Sequence, residues 1–441
     1  MLEDIIQDRL KKKRAYPARV ERTHLVSEVL NKFADLEKSG VKIAITGRIM
    51  GLRVQGGIIF IDVQDESGKM QAVIQKETVA NFDEFRDNSD IGDFTEVIGK
   101  AFVTKAGQQS ILAVSVKNIA KAIRPLPSVW HGLHDIEERF RKRYLDLILN
   151  KDVKEKINKR SEIIAQLRKF LWKQGFVEME TPMLQPIPGG AKARPFITHH
   201  NALDTDFYLR VAPELYLKRL LVGGFEKIFE LGRVFRNEGI DRDHNPEFTE
   251  LELYWAYQDY NGLMKFVQKM LKPFIAGKIQ KVKFAKVFKE HFGKDWRKAE
   301  GDLDEIFKKE VRPKIVEPTF VVDYPEKLMS LAKLNEKDPA LTESFQLIVN
   351  GVELIKGFSE LNDPIFQREQ MERQEQEFRA GNPEASRFDS EYLEALEHGM
   401  PPAAGLGIGI DRLVQLVTGV HAVKEIIPFP TLKPKIEKSS K

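Results

Sequence analysis

The spacing of hydrophobic positions changes character twice along the chain. Residues 1–35 are charged, with scattered apolar positions, and predict one or two helices. From Val41 to about Arg124 the pattern turns to short alternating runs at Val41–Ile49, Gly57–Gln64, Met70–Ile74, Phe94–Thr104 and Ser110–Ile119. Turn formers separate them, notably Asp65-Glu66-Ser67-Gly68-Lys69 and Ala106-Gly107. Five short strands at this spacing suit a small OB-type barrel, and strand count alone fits any five-stranded barrel equally well. Arg124-Pro125-Leu126-Pro127-Ser128 breaks the alternation and reads as a linker, with a charged helical stretch from Asp135 to Asn150 after it. Beyond, Ile157, Ile164, Leu167, Phe170 and Leu171 fall at helical spacing, and Gly175 is placed to end that helix. Phe176–Glu180 then reads as a strand stopped by Thr181-Pro182. The chain thus divides into a helical extension (1–40), a barrel (41–124), a linker (125–150), a large domain (151–434) and a tail (435–441). Residues 262–318 are Lys- and Phe-rich without a clear period, and the pattern assigns them no role.

Strand parity gathers polar groups in the large domain. Reading Phe248 to Tyr257 as a strand puts Phe248, Glu250, Glu252, Tyr254 and Ala256 on one face, and Thr249, Leu251, Leu253 and Trp255 on the other. The second is a plain core face. The first carries two carboxylates and two aromatic rings, which suits a ligand site or a half-exposed sheet surface better than a core. The preceding run, Lys227–Glu238, reads as a strand with Arg236 and Glu238 on one face. Farther on, Asn350-Gly351 is a hairpin signal between two alternating runs. With those residues in the turn, Ile348 faces Glu353 and Gln346 faces Ile355. Gln346 and Glu353 are then diagonal neighbours on one face, while Lys356, Phe358 and Glu360 share the other. Gly405-Leu406-Gly407-Ile408-Gly409 reads as a glycine strand against which a ligand packs, leading into a helix that opens at Asp411-Arg412. Its GxGxG spacing, with no βαβ unit after it, argues against a dinucleotide-binding loop.

Composition narrows the classes. Lys+Arg number 70 against 66 Asp+Glu, a net charge of +4, so bulk charge gives nucleic acid little support. A basic run near the N-terminus (Arg9, Lys11, Lys12, Lys13, Arg14, Arg19, Arg22) gives slightly more. The absence of cysteine excludes disulfides and thiolate-metal sites. No apolar run approaches membrane-spanning length and the N-terminus has no apolar leader, so a cytoplasmic protein without a membrane partner is expected. The chain has no GxxxxGK[ST] loop, no HExxH and no Ser-His-Asp elbow, and His131 and His134 read as structural residues, not metal ligands. Two arginine motifs remain. Phe235-Arg236-Asn237-Glu238-Gly239, followed by His244-Asn245-Pro246-Glu247-Phe248, is one; Gly405–Arg412 is the other. Each sets a permanent guanidinium beside glycine-softened backbone, which suits a polyphosphate.

Together these motifs resemble motifs 2 and 3 of the class II aminoacyl-tRNA synthetases, and the helix and strand before Thr181-Pro182 resemble motif 1, the dimer interface of that family. Further stretches sharpen the likeness: Trp130-His131-Gly132-Leu133, Arg143-Tyr144-Leu145-Asp146-Leu147, Pro188-Gly189-Gly190-Ala191, Arg194-Pro195-Phe196 and Thr198-His199-His200-Asn201. Ala212-Pro213-Glu214-Leu215-Tyr216-Leu217-Lys218 and Phe358-Ser359-Glu360-Leu361-Asn362-Asp363-Pro364 complete the set. From the barrel to about Pro434 the chain is similar to the bacterial-type class II lysyl-tRNA synthetases.

The resemblance implies an α+β protein: an N-terminal OB-fold barrel plus a class II catalytic domain, an antiparallel sheet flanked by helices, acting as a homodimer. It implies that Arg236 and Glu238 contact the ATP α-phosphate and adenine, and that His244 and Phe248 hold a bent ATP with Phe248 stacked on the adenine. Arg412 would cover the other adenine face and approach the γ-phosphate, and Glu353 would join the ATP site and bind Mg²⁺ together with residue 346. Gly190, Glu214, Glu252, Tyr254, Phe358 and Glu360 would line a lysine pocket, with Glu214 and Glu360 nearest the ε-ammonium. In the barrel, Arg48, Arg53, Phe60 and Gln71 would meet the anticodon of tRNA(Lys). The implied reaction is ATP-dependent attachment of L-lysine to its tRNA through a lysyl-adenylate, with Arg236 and Arg412 as catalytic charges and no covalent nucleophile. The sequence departs from the family in three ways: Gln346 stands where a metal-binding glutamate is expected, Lys356 stands where an asparagine is expected, and the region between motif 2 and the hairpin is shorter than in typical bacterial members. The alternative these departures suggest is a catalytically impaired, tRNA-binding or regulatory paralogue. Retention of Arg236, Glu238, His244, Phe248, Glu353 and Arg412 speaks against it.

Overall fold

The computed structural model describes residues 2–127, 133 and 135–435, so Trp130, His131, Gly132 and His134 lie outside the described residues. The chain folds as two compact units divided after residue 134. In the first, helices Leu2–Lys11, Val26–Asn31 and Phe33–Ser39 precede five strands: β1 (Ile43–Gln55), β2 (Ile58–Gln64), β3 (Lys69–Gln75), β4 (Phe94–Val103) and β5 (Gln109–Ala120). They close into a barrel in the order β1-β2-β3-β5-β4. Alternation buries Ile43, Ile45, Ile59, Ile61 and Val63 in the barrel core. β1 runs on past Ile49 to Gln55, where a register shift between Ile49 and Gly51 lets it keep pairing with β2.

The second unit begins at Asp135, earlier than the boundary at 151 that the pattern suggests. Arg143 is the reason. Only 1% exposed, it pairs with Asp146 at 2.7 Å and donates to the carbonyls of Lys424, Ile427 and Pro428. A buried guanidinium must be satisfied throughout, which ties the helix Arg143–Leu149 to the distant C-terminal segment.

The strands of this unit are β6 (Val177–Glu178), β7 (Leu184–Gln185), β8 (Ile197–His200), β9 (Thr205–Leu209), β10 (Lys227–Phe235), β11 (Glu247–Ala256), β12 (Gln280–Lys283), β13 (Thr319–Val322), β14 (Ser344–Val349), β15 (Val352–Ser359) and β16 (Ala403–Gly409). Eight of them form one sheet in the order β12-β13-β14-β15-β16-β11-β10-β6, and β7, β9 and β8 form a small one. The inner strands of the large sheet are antiparallel; β6 on β10 and β12 on β13 are parallel. One face packs against helices Lys151–Lys173, Tyr260–Leu271 and Ile410–Thr418, joining Leu167, Leu171, Leu251, Leu253, Val267 and Leu413 in one core. The other face is left for the site. The aperiodic stretch 262–318 contributes to a second core, in which the Phe284 ring lies 4.9 Å from Tyr324 and 5.0 Å from Phe307. Its aromatics come from several short segments, so no single period runs through them. Among the described residues no helix is long and apolar enough to cross a membrane.

Candidate active site

On β11 the period-2 reading holds: Leu251 and Leu253 enter the core, while Phe248, Glu250, Glu252 and Tyr254 line a cleft. The neighbouring β16 sets Gly405 opposite Tyr254 and Gly407 opposite Glu252. A Cβ at Gly405 would run into Glu360 and the Tyr254 ring, so the glycine strand forms a floor. Gly190, at φ +91°, closes one side; a Cβ there would lie 2.9 Å from that of Glu214. Glu214 opens the helix Glu214–Val222 and Lys218 follows one turn later on the same side. The Lys218 ammonium is fully buried, 2.6 Å from Glu214 Oε1 and 2.5 Å from Glu360 Oε2. Burial alone would lower its pKa, but the Glu214 and Glu360 carboxylates hold it well above the ordinary value.

Burial pushes the Glu360 carboxyl up to about 8, with Lys218 pulling against it. Its Oε1 is buried without a hydrogen-bond partner. The Tyr254 hydroxyl donates to Glu252 Oε2 at 2.9 Å. Burial, reinforced by Glu250 and Glu214, holds the Glu252 carboxyl well above the usual carboxylate range. Glu214 and Glu360 therefore share the buried Lys218 ammonium, while Glu214, Glu250 and Glu252 line the cleft. This end of the cleft is short of positive charge.

The other end carries the arginines. β10 stops at Phe235, so the shared strand face expected of Arg236 and Glu238 is not formed. Arg236 N–H still donates to Pro246 at 2.9 Å, but Glu238 N–H turns back onto the Arg236 carbonyl and the side chain is exposed. Both residues nevertheless line the cleft. The Arg236 guanidinium lies 4.9 Å over the Phe248 ring and 3.8 Å from Glu250. Arg412 donates to the Glu353 carbonyl and to His244 Nε2, each at 3.0 Å. His244 Nδ1 donates to Asp241 at 2.9 Å, which fixes the tautomer that leaves Nε2 as acceptor. Behind them buried Arg160 pairs with Asp411 and donates to Thr249 at 2.9 Å, pinning the start of the helix that carries Arg412.

The hairpin corrects one expected pairing. Asn350 (φ +50°) and Gly351 (φ +74°) make the turn, and Ile348 faces Glu353 as expected, but a register shift between Leu347 and Ile348 follows. Gln346 consequently faces Lys356, not Ile355. Leu354 and Ile355 both enter the core, which is how a bulge puts one extra residue on a strand. Glu353, Lys356 and Phe358 then all line the cleft, instead of dividing between two faces. Gln346 is 8% exposed, and its Oε1 accepts from the Tyr324 hydroxyl at 3.0 Å. A magnesium ion arriving with nucleotide phosphates needs one or two protein carboxylates. Glu353 fits that need. Gln346 does not, because it offers an amide oxygen that is already engaged. Among the described residues no group of three His, Cys, Asp or Glu is arranged to hold a metal.

In the barrel, Arg53 and Phe60 are cross-strand partners with the guanidinium 5.8 Å over the ring, an outward-facing pair. Gln71 is buried and accepts from Ser110 at 3.0 Å. Arg48 donates to the Gly92 carbonyl at 2.8 Å and lies 4.2 Å over Phe94, away from the Arg53 pair. The structure thus brings two of the four barrel residues into one exposed patch and ties the other two to internal partners.

The family described as tRNA synthetases class II (D, K and N) matches residues 135–433. The chain belongs to the class II tRNA synthetases. An OB-fold nucleic acid binding domain matches residues 43–119 of the synthetase. It is 45% identical over 464 residues to the lysine–tRNA ligase of Pelotomaculum thermopropionicum, covering 95% of this chain and 91% of that protein. Identity to the lysine–tRNA ligase of Carboxydothermus hydrogenoformans is 43%, with 95% and 94% covered. For the Clostridium tetani enzyme it is 43%, with 94% and 91% covered.

Two residues of the synthetase's cleft carry more than the sequence reading gave them. Lys218 was legible only as part of a motif; its i, i+4 spacing from Glu214 was the available signal. Glu250 was placed on the right face by parity, and the structure adds its position beside Arg236.

Proposed function

We propose that this synthetase activates L-lysine with ATP and transfers it to a lysine-accepting tRNA. The observation that supports this reading most is the charge of the glycine-floored end, where Glu214 and Glu252 line the cleft, Glu214 and Glu360 share one buried ammonium, and Glu360 Oε1 has no partner. An amino acid with two ammonium groups supplies what is missing, whereas an acidic one would be repelled. Its carboxylate then points along the floor toward Arg236. A carboxylate oxygen bonds to the α-phosphorus while the bond to the departing pyrophosphate breaks, and Arg236 and Arg412 stabilise the charge that develops. A ribose hydroxyl of the tRNA next attacks the acyl carbon and AMP leaves. Glu238, His244 and Phe248 would seat the nucleotide, and Phe358 with Gly190 would shape the amino-acid end. Glu353 would hold Mg²⁺ on the nucleotide, an ion that neutralises phosphate charge when bound.

The exposed Arg53–Phe60 pair suits stacking on an unpaired base of the anticodon, with Arg48 and Gln71 bracing the barrel through their internal partners. A second copy of the chain would cover the exposed apolar residues Trp172, Val177, Met183 and Leu184 near the sheet edge at β6, which supports a homodimer. The reaction belongs in the cytoplasm, with the translation machinery. ATP–pyrophosphate exchange, run with each of the twenty amino acids, tests the proposal. Exchange driven by lysine alone is expected; folded protein that binds tRNA but exchanges with no amino acid would transfer the case to the non-catalytic paralogue.

A further inference from the structure

Lys356 lines the cleft with a role still to be assigned. Lys356 is half-buried and makes no hydrogen bond or ion pair with any described residue. It contrasts with Lys218, which is clasped by two carboxylates in the same cleft. The bulge at Leu354 is what turns Lys356 inward and sets it directly opposite Gln346. Its partner on the other side is Gly407, which has no side chain to crowd it.

Gln346 is oriented by its neighbour. The Tyr324 hydroxyl is buried and kept protonated, so it donates, and the Gln346 oxygen must face it. The amide nitrogen, a donor, is left without a partner. An ammonium and an amide N–H thus stand at paired positions on adjacent strands, neither with a hydrogen-bond partner among the described residues. Arg412 is bonded to the carbonyl of Glu353, and Arg312 lies 3.9 Å from the Glu353 carboxylate at the same end of β15. This set of donors suits an oxyanion. Lys356 stands level with Gly407 and Glu252, three residues past Glu353, where the nucleotide's α-phosphate would meet the amino-acid carboxylate, and of these two anions the triphosphate carries the greater charge for an ammonium to meet.

We propose that Lys356 and Gln346 form a clamp for the phosphate oxygens of the nucleotide, in which the Lys356 ammonium supplies positive charge in place of the metal ligand that Gln346 does not provide. The inference rests on the ATP-dependent reading of the site. It implies that one Mg²⁺, on Glu353, is enough, and that the nucleotide binds measurably with no divalent ion present.

Calorimetric titration of ATP into the full chain in excess EDTA tests this. Wild type should bind, Lys356→Met should weaken binding roughly tenfold or more, as expected for loss of one charge-assisted contact, and Lys356→Arg should retain most of it. L-lysine affinity, measured separately, should change less than about twofold in either variant. The double variant Gln346→Glu/Lys356→Asn should lose divalent-free binding and show a steeper Mg²⁺ dependence of exchange. Unchanged ATP affinity in Lys356→Met overturns the clamp. So does a selective loss of L-lysine affinity, which would assign the ammonium to the amino-acid carboxylate instead. Lysine-driven exchange by wild type alongside either of those results would leave the functional reading standing, whereas wild type that binds no ATP even with Mg²⁺ would remove both.

Discussion

The two ends of the cleft are built on opposite plans. At the glycine-floored end, the proposed amino-acid site, the charges are buried and locked, with Lys218 fixed between Glu214 and Glu360. At the arginine end, the proposed nucleotide site, the charges are half-exposed, Arg236 over Phe248 and Arg412 on His244. The difference teaches how one site can discriminate and still turn over. A buried charge network is costly to disturb, so it can reject a wrong side chain; half-exposed guanidinium groups can shift to follow phosphate from substrate to product.

The comparison can be broken from the rigid end first. Lys218→Met should cost about 3–5 kcal/mol of stability at pH 8, because it leaves two facing carboxylates without their cation. Thermal melts at several pH values check this: the deficit should shrink as the pH falls through about 8 and Glu360 takes up a proton. A variant as stable as wild type at pH 8 would mean that the network is not what holds this end together. Glu360→Gln should lower kcat/KM for lysine by about 2–5 kcal/mol, while its affinity for ATP stays near wild type. Equal losses for both substrates would dissolve the distinction between the two ends.

Smaller effects sharpen it. In the barrel, Phe60→Ala should raise the KM for tRNA by about 1–3 kcal/mol, one base-stacking contact, and leave amino-acid activation untouched. The pH dependence has a definite sign. With Glu360 raised to about 8 from an ordinary 4.5, the empty site carries a proton at neutral pH, and an incoming ammonium prefers the carboxylate. Lysine affinity should therefore rise with pH through about 8 while the substrate ammonium stays charged, by about twenty-fivefold between pH 6.5 and 8.5. The same raised pKa means that this carboxyl's contribution favours the folded state of the empty enzyme at low pH and is lost as the pH rises through 8. An affinity that stays flat across this range in wild type would argue that Lys218 alone keeps Glu360 ionised.

Much of this was written in the chain itself. Period-2 alternation fixed the face of β11, because a strand presents alternate residues to opposite sides whatever surrounds it. The Asn350-Gly351 turn was equally legible, since few residue pairs accept positive φ at both positions. The paired faces beyond that turn were not. Leu354 and Ile355 look like one more alternating step, and only the packed core, which accepts both side chains, makes them a bulge and turns Lys356 toward Gln346. The end of β10 was hidden for a related reason: Arg236 still bonds in the ladder, and Glu238 leaves it because its N–H turns back onto the preceding residues. Local spacing likewise brought Lys218 to Glu214, four residues apart on one helix. That Glu360, 142 residues later, closes on the same ammonium was decided only by the tertiary fold, because long-range charge pairing depends on which strands the core draws together and leaves no periodic trace in the sequence.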